Sequence, residues 1–342
     1  MKPKFIDVTS SGAVLLGTAI ACDGFYYDAK VRIQSHIHAD HMDGFEACKG
    51  LQDIMLSKET YDLLVLEKNA ELPYRRNIKP IEYGKPIQVD KDQIVIKKNG
   101  HMLGSVQTQV ILSDGTHLGY SGDFQWPIED VIQVNALVVD STNGSPQKKR
   151  KYTQEEANNR LIELISEKLK HGSIALIAHR GTLQRALDLL DREKINVPVI
   201  GTGKTCLEAK IYQKYGYSIP EIQNIDSVEG EKILSNGRYI RILGIKDHPE
   251  SLSEGTKIIL SAYMSDPNNP VLDYDNCSFR VALSDHADFE GTLSYIKATG
   301  ANFVITDNSR GGHAVELAHE IRARLGIEAK PSSNIISREW GR

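Results

Sequence analysis

A dense group of histidines and one aspartate lies near the N-terminus of this 342-residue chain, in the segment Ser35–His41 (SHIHADH). Imidazole nitrogens and carboxylate oxygens are ligands that borderline metal ions such as zinc prefer. Alternate residues of an extended segment point the same way, so His36 and His38 can bind one ion. Asp40 and His41 follow them and can face a second ion. The HxHxDH pattern therefore predicts a metal centre with two ions.

Strands and turns are expected on either side of this group. Val31–Gln34 alternates apolar and polar residues directly before it, which is typical of a half-buried strand, and Met42-Asp43-Gly44 after it is turn-forming. The first 150 residues contain further short apolar runs separated by glycines. These runs predict strands over Ile94–Lys97, Gln107–Leu112 and Ala136–Val139, with one helix over Lys58–Asn69.

The pattern changes after Asp140. The segment Ser145–Tyr152 is polar, basic and turn-forming, so it is a predicted linker, and Thr153 and Glu156 then have the spacing of a helix capping box. Strands alternate with helices from there on, which indicates a parallel sheet with right-handed crossovers. The predicted strands are Ile174–Ala178, Val197–Ile200, Lys257–Ser261, Phe279–Leu283 and Phe303–Ile305, and the predicted helices are Thr182–Arg192, Thr205–Tyr215 and Val315–Leu325.

Composition limits the class of protein. Hydrophobic residues make up 40% of the chain and charged residues 25%, which are the proportions of a soluble globular protein. No apolar run approaches the roughly 20 residues that a membrane-spanning helix needs, so no membrane partner is expected. The four cysteines form no CxxC pair, and we expect reduced thiols in a cytoplasmic protein. A net charge of -4 does not exclude nucleic acid as a partner, because a local basic groove is sufficient.

Three further candidate residues lie in glycine-containing segments: Asp23 in ACDG, His101 in GHMLGS and Asp123 in YSGDF. With the HxHxDH segment, and in this order, they resemble the signature of the metallo-β-lactamase superfamily. The resemblance implies an α/β fold built as a four-layer αββα sandwich with two zinc ions, in which Asp23 supports the ligand-bearing loop. The implied ligands are His36, His38 and His101 for the first zinc, Asp40 and His41 for the second, and Asp123 as the bridge between both.

The rest of the chain resembles one branch of that superfamily, the metallo-β-CASP nucleases. Val138–Gly144 (VVDSTNG) is similar to the acidic motif of the branch, and Ser284–Phe289 (SDHADF) is similar to its S-x-H-x-D motif. The long α/β segment between the two motifs matches the cap domain that this branch inserts. The resemblance implies that His286 is the general acid for the leaving oxygen, with Asp140 orienting its ring and fixing its tautomer. Asp40 is expected to act in catalysis as well as in metal binding.

One position departs from the pattern of the branch, which places a histidine ligand of the second metal after a strand near the C-terminus. After the predicted strand the aligned position carries Asp307, and the nearest histidine is His313. Asp307 is the favoured ligand, His313 is the alternative, and a site that uses neither residue is the third hypothesis. The second ion is therefore expected to bind more weakly than the first, or to be Mn²⁺ in place of zinc.

The expected protein is a two-domain nuclease. Residues 1–150 and 279–342 form the discontinuous metallo-β-lactamase domain, and residues 151–278 form the β-CASP cap. The expected reaction is hydrolysis of phosphodiester bonds in RNA or single-stranded DNA by water that two zinc ions activate, in RNA processing or DNA repair. Arg180, at the end of a predicted cap strand, and Ser284 are expected to contact the substrate.

Alternatives stay open at this point. One is a hydrolase of a small ester or cyclic phosphodiester, which the long insert disfavours. A second is a catalytically weak nucleic-acid-binding subunit, which the complete HxHxDH segment disfavours, and a third is a tRNA 3′-end processing enzyme. The sequence does not distinguish RNA from DNA or exonuclease from endonuclease, nor does it fix the oligomeric state, for which a homodimer is one expectation.

Overall fold

The structure, a computed structural model, describes residues 5–246, 255–262 and 266–332, without the side chains of residues 69 and 70. The chain divides into two compact units. The first unit is Met1–Lys149 with His286–Arg342, and the second is Arg150–Asp285. The predicted cap segment 151–278 ends before Ser284 and Asp285, which the structure assigns to the second unit.

The strands of the described residues are short. In chain order they are β1 (Ile6–Val8), β2 (Val14–Leu16), β3 (Ile20–Cys22), β4 (Val31–Ile33), β5 (Asp53–Ser57), β6 (Ile78–Ile81), β7 (Ile87–Val89), β8 (Asp92–Lys98), β9 (Val106–Ile111), β10 (His117–Tyr120), β11 (Ala136–Val139), β12 (Ile174–Ala178), β13 (Val199–Gly201), β14 (Ile222–Asn224), β15 (Ile240–Gly244), β16 (Thr256–Ser261), β17 (Val271–Asp273), β18 (Ser278–Ala282), β19 (Phe303–Thr306) and β20 (Glu328–Pro331).

Helices separate many of these strands. Over the described ranges the α-helices are α1 (Lys58–Lys68), α2 (Gln154–Lys168), α3 (Thr182–Arg192), α4 (Gly203–Lys214), α5 (Val228–Asn236), α6 (Phe289–Ala298) and α7 (Ala314–Glu320), which a π-helical turn, Ile321–Leu325, continues. Short 3₁₀ helices occur at Ala39–His41, Glu46–Cys48, Asn69–Tyr74 and Pro146–Lys148.

The first unit contains two mixed sheets. One sheet has the order β1-β2-β3-β4-β5-β6, with antiparallel pairing from β1 to β3 and parallel pairing from β3 to β6. The other has the order β20-β19-β11-β10-β9-β8-β7, with parallel pairing from β20 to β10 and antiparallel pairing from β10 to β7. Both sheets are therefore parallel on one side and antiparallel on the other.

A shared apolar core joins the inner faces of these two sheets. Residues of β4 in the first sheet and of β10 and β11 in the second belong to one buried cluster. In β11 the residues Ala136 and Val138 belong to this cluster, whereas Leu137 and Val139 belong to a second one with side chains of α6 and α7. Because successive side chains of a strand point to opposite faces, β11 is buried on both faces. This explains why its sequence is apolar at every position.

The second unit is built on one sheet, with the order β14-β13-β15-β12-β16-β18-β17. Its described pairings are parallel except that of β17 with β18. Strands and helices alternate along most of this unit, as the sequence predicted. The protein is thus of mixed α/β class, and none of its described helices is long and apolar enough to span a membrane.

The capping box predicted at the start of α2 is present. The hydroxyl of Thr153 accepts a hydrogen bond from the backbone N–H of Glu156 at 3.1 Å, and the Glu156 carboxylate accepts one from the backbone N–H of Thr153 at 2.6 Å. We predict that Thr153→Ala lowers the free energy of unfolding by about 1 kcal/mol, because the cap hydroxyl is lost. Urea unfolding measures this change. Thr153→Ser, which keeps the hydroxyl, is the control, and an equal loss in both variants would contradict the capping role.

Candidate metal centre

Strand ends bring the candidate residues to two sheet edges. In the second sheet β10, β11 and β19 run parallel, and Asp123, Asp140 and Asp307 each follow the end of one of them. In the first sheet β3 and β4 run parallel, with Asp23 directly after β3 and the HxHxDH segment shortly after β4. The C-terminal ends of neighbouring parallel strands lie at the same edge. A backbone hydrogen bond from Val106 N to the carbonyl of Ser35, 3.1 Å, joins the two edges.

Four side chains form a compact group at this place. His36, His38, His101 and Asp123 each offer a nitrogen or oxygen atom, and these atoms lie within 4.8 Å of one another. His38 Nδ1 lies 3.0 Å from His101 Nε2. The Asp123 Oδ2 atom lies 3.7 Å from His36 Nε2 and 3.8 Å from His101 Nε2. Three imidazoles and one carboxylate make a donor set that suits zinc or another borderline divalent ion.

His41 lies on the other side of the same carboxylate. Its Nε2 atom is 3.2 Å from Asp123 Oδ1, and its Nδ1 atom is 2.8 Å from Asp23 Oδ2. Burial of the ring opposes its protonation, but the charges of Asp123 and Asp23 outweigh burial and raise the pKa of His41 to about 10. The His41 ring thus lies in a strongly negative environment that favours a cation.

Asp23 sets the orientation of two imidazole rings. Its Oδ2 atom accepts a hydrogen bond from the hydroxyl of Ser35 at 2.5 Å as well as from His41. Since the Ser35 hydroxyl donates to Asp23, it accepts from His36 Nδ1, which is 2.9 Å away. Both rings therefore carry a proton on Nδ1 and turn Nε2 towards Asp123.

The Nε2 atoms of His36 and His41 test whether these residues fit a metal ion. Both atoms are buried; His36 Nε2 has no hydrogen-bond partner among the described residues, whereas His41 Nε2 faces the Asp123 carboxylate at 3.2 Å. Burial and the charges of the neighbouring histidines hold the pKa of His36 well below its usual range, so this ring is neutral and presents a lone pair. A buried nitrogen without a hydrogen bond is costly, and a metal ion at this place would remove that cost. The residues therefore fit a divalent cation.

A second pair of predicted residues adjoins the group. His286 Nδ1 lies 2.9 Å from Asp140 Oδ2, and His286 Nε2 lies 3.8 Å from Asp123 Oδ2. The other Asp140 oxygen accepts from the backbone N–H and the hydroxyl of Thr142, at 2.8 and 2.7 Å. Thr142 binds only Oδ1, so Oδ2 of Asp140 is available to His286 Nδ1. This contact turns His286 Nε2 towards Asp123.

Asp40 lies at the rim of the group. Its side chain is 57% exposed, and Oδ2 is 3.7 Å from His41 Nε2. It follows His38 in the 3₁₀ helix Ala39–His41, which turns the chain between the two halves of the motif. Among the described residues, Asp40 belongs to none of the groups whose ligand atoms converge within 4.8 Å.

Asp307, the favoured ligand of the second metal, faces a different partner. Its Oδ1 atom accepts hydrogen bonds from the backbone N–H and hydroxyl of Ser309, and its Oδ2 atom accepts one from Arg310 Nη1 at 2.7 Å. Asp307 therefore does not join the convergent groups of the described chain. The alternative residue, His313, points its ring towards Glu316 at 3.7 Å and binds Ser141 through its backbone N–H. Among the described residues, His313 belongs to none of these groups either, so the last ligand of the second metal stays a prediction.

The two predicted substrate contacts lie in the second unit. Arg180 donates from Nε to Glu208 Oε1 at 2.9 Å, and Gln184 donates to the same oxygen at 2.8 Å. Ser284 is buried, and its carbonyl accepts a hydrogen bond from Arg185 at 3.0 Å. Arg180 is therefore already engaged with a buried carboxylate, so a contact with phosphate has to compete with this ion pair.

Arg32 and Gln34 were not predicted to serve the site. Both are fully buried, although alternation in β4 is typical of a strand with one exposed face. Arg32 donates to the carbonyl oxygens of His41 and Asp43, at 2.7 and 2.8 Å, and Gln34 donates to those of His36 and His41, at 2.6 and 2.9 Å. The loop that follows β4 folds back over the polar face of this strand. The signal in the sequence was a pair of long polar side chains, Arg32 and Gln34, in the predicted strand directly before the HxHxDH segment.

Comparisons with known proteins add a family and a fold. No protein-family model matches the chain. An uncharacterized protein in the lig 3′ region of Acidianus ambivalens is 30% identical over 138 residues, which cover 40% of this chain and 98% of that protein. A solved protein of unknown function from Enterococcus faecalis V583 has a TM-score of 0.62 at 14% identity, and the match covers 91% of this chain and 81% of that one. The latter shows similarity of fold.

Two longer relatives have names that refer to nucleic-acid processing. A probable DNA ligase of Opitutus terrae is 24% identical over 322 residues, and transcription termination factor FttA of Pyrococcus abyssi is 31% identical over 177 residues. These matches cover 90% and 42% of this chain. The chain spans only 29% of the ligase and 27% of the termination factor.

Gly122, directly before Asp123, is expected to tolerate no side chain. It has a φ of +57°, and a Cβ atom there would lie 2.8 Å from the carbonyl oxygen of Val106. We predict that Gly122→Ala lowers the free energy of unfolding by about 1–3 kcal/mol. Gly115→Ala is the matched control, because Gly115 also has a positive φ but a Cβ there meets nothing within 4 Å. Equal losses in urea unfolding would contradict a steric requirement at Gly122.

Proposed function

We propose that this chain, which belongs to the same family as the uncharacterized Acidianus ambivalens protein, catalyses metal-dependent hydrolysis of phosphodiester bonds in nucleic acid. The observation that carries the proposal is the Asp140–His286 pair beside the convergent histidines. A metal-binding group together with a positioned proton donor is the equipment of a hydrolase, whereas a binding subunit or a storage site for metal does not need the donor.

The architecture of the first unit supports a metallo-β-lactamase fold. Its two mixed sheets share an apolar core, and α6 and α7 pack on the outer face of the second sheet. In the first sheet, α1 packs near β5 and β6. This arrangement fits the four-layer αββα sandwich. The separate α/β unit Arg150–Asp285, inserted into the chain of the first, fits the β-CASP cap.

We assign the first metal ion to His36, His38, His101 and Asp123. The second ion is assigned to His41 and Asp123, with Asp40 reaching it from the rim, and zinc is the preferred metal at both places with Mn²⁺ as the alternative at the second. A divalent ion held by these residues would act as a Lewis acid on phosphoryl oxygen and would lower the pKa of water. The exposed Asp40 carboxylate is suited to orient that water from the open side.

His286 is assigned as the general acid. Its Nδ1 atom is bound to Asp140, so the proton that it can transfer lies on Nε2. This atom faces Asp123 of the metal group, by which we mean His36, His38, His101 and Asp123. Transfer of this proton to the leaving oxygen avoids a free alkoxide, and Asp140 stabilises the imidazolium before transfer. Asp140 thus acts through His286, and Thr142 acts through Asp140.

The names of the relatives favour a nucleic-acid substrate. The probable DNA ligase contains a region similar to 90% of this chain within a much longer protein, and a ligase joins strand breaks in DNA. Hydrolysis that trims a DNA end is chemically complementary to such joining, so we propose single-stranded DNA as the first candidate substrate. The relative named as a transcription termination factor favours RNA as the second candidate. Arg180 and Ser284 in the second unit remain proposed substrate contacts, and the cytoplasmic location and homodimer remain predictions.

Cleavage assays on labelled polymers test the proposal. End-labelled single-stranded DNA and RNA are incubated with the protein and Zn²⁺ or Mn²⁺, with and without a chelator. We expect metal-dependent cleavage, and we expect His286→Gln to reduce its rate by about 10²–10⁴-fold with unchanged metal content, because the proton donor is lost. His319→Gln, on the exposed side of α7, is the matched control and should keep full activity.

Each outcome decides one part of the proposal. Absence of metal-dependent cleavage of both polymers by the wild type would contradict a nuclease and would favour a small-molecule hydrolase or a binding subunit. Cleavage that is equally fast in His286→Gln would contradict the role of general acid while leaving the metal centre intact. Cleavage of RNA alone would make RNA, and not single-stranded DNA, the first candidate substrate.

A further inference from the structure

The loop that follows β19 holds a buried ion pair next to the metal group. Asp307, the residue expected to bind the second metal, accepts from Arg310 Nη1 at 2.7 Å, and both side chains are almost completely buried, at 5% and 11% exposure. Ser309 supplies two further hydrogen bonds to the same carboxylate. Both oxygens of Asp307 are thus engaged within its own loop.

Arg310 reaches from this loop to the turns that carry Asp23. Its Nη2 atom donates to the carbonyl oxygens of Gly12 and Asp23, at 2.7 and 2.9 Å. Gly12 has a φ of +81°, and Asp23 has a φ of +51°. Residues other than glycine rarely adopt a positive φ. The guanidinium therefore fixes two turns by their carbonyl groups, and the turn at Asp23 is the strained one. A planar guanidinium can bind a carboxylate and two carbonyl oxygens at once, which the single ammonium of lysine does less well.

Asp23 passes this constraint on to the imidazoles. Its carboxylate accepts from His41 Nδ1 and from the Ser35 hydroxyl, which in turn orients His36. A displacement of the Asp23 backbone would therefore turn both rings. The contacts form one continuous path from Asp307 through Arg310 and Asp23 to His41.

Charge holds this ion pair together. Burial opposes the charge of Arg310, but Tyr120, Asp307, Asp23 and Asp123 outweigh burial and raise the pKa of the guanidinium. Arg310 is therefore a permanent cation that acts electrostatically on Asp123, the proposed bridge, and on His41. Asp307 neutralises this cation within the pair, so the pair acts on the site through orientation and not through added charge.

We propose that Asp307 is a positioning residue and not a metal ligand: together with Arg310 it forms an ion pair that orients His41 through Asp23. This inference rests on the proposed metal centre. It accounts for the aspartate at the position where a histidine ligand was expected, because this carboxylate binds Arg310 and the second ion has one ligand fewer. The chain then binds its first ion tightly and its second ion weakly.

Metal affinity in a double-mutant cycle tests the inference. Full-length wild type, Asp307→Asn, Arg310→Met and the double variant are titrated with Zn²⁺ and with Mn²⁺ against a chelator of known affinity, and metal content at saturation is measured by elemental analysis. We expect each single variant to weaken binding at the His41 position by about 10–100-fold, the usual effect of losing an outer hydrogen-bond partner. We expect the double variant to be no worse than the weaker single variant, because the pair acts as one unit. Stoichiometry at saturation should stay unchanged in all of them.

A spectroscopic signature separates positioning from loss of stability. The Nδ1–H resonance of His41 in metal-free protein reports its hydrogen bond to Asp23. We expect this resonance to move in Asp307→Asn and Arg310→Met, and to stay in the matched control Asn308→Ala, which lies in the same loop and keeps the backbone N–H that binds Ser332. Arg310→Lys keeps a cation that can still bind the Asp307 carboxylate, and it should restore part of the metal affinity that Arg310→Met loses. If Arg310→Met fails to fold, Asp307→Asn and Arg310→Lys, alone and combined, complete the cycle.

The outcomes that overturn the inference are specific. Loss of one metal ion per chain at saturation in Asp307→Asn, with full content in Arg310→Met, would make Asp307 a ligand. Additive effects of the two changes would show that Asp307 and Arg310 do not act as a unit, and an unmoved His41 resonance would show that the pair does not orient this ring. These readouts need no nucleic acid, so a failure of the nuclease proposal leaves them valid, and their failure leaves cleavage by the wild type unaffected.

Discussion

The buried carboxylate of Asp23 is the interaction on which the rest of the site depends. It is fully buried, and it accepts hydrogen bonds from the backbone and hydroxyl of Ser35 and from the ring of His41. Burial alone would raise the pKa of this carboxyl group, but His41 and the other donors lower it below its ordinary value. An ionised Asp23 therefore fixes which nitrogen of each neighbouring imidazole is protonated, and thereby which lone pairs converge.

Two arginines and the strand topology hold this carboxylate in place. Arg32, in β4, donates to the carbonyl groups of His41 and Asp43. Arg310, in the loop after β19, donates to the carbonyl group of Asp23. Ser141, next to Asp140, donates to the carbonyl of Asp307, so the same loop is tied to the segment that orients His286. The convergent histidines, the Asp140–His286 pair and the Asp307–Arg310 ion pair are therefore tied together by hydrogen bonds at the ends of parallel strands.

Periodicity and motif order made much of this predictable. Strands such as Ala136–Val139 and Ile174–Ala178 and the helix Thr182–Arg192 have the predicted bounds, because their apolar runs are bounded by clear turn residues. The order of the motifs led to the residues that converge. The central strand Ile240–Gly244 was not predicted, since its arginine breaks the apolar run. The partner of Asp307 was also beyond prediction, because an aspartate after a strand serves a metal or an arginine equally well, and only tertiary contacts decide between them.

Diffraction with anomalous scattering at the zinc absorption edge tests the central claim most directly. Crystals of the full chain grown with a stoichiometric amount of zinc would show where the ion binds. The account predicts the strongest anomalous peak among His36, His38, His101 and Asp123, with a weaker peak or none beside His41. A strongest peak at any other place, or a peak with Asp307 within bonding distance, would contradict it.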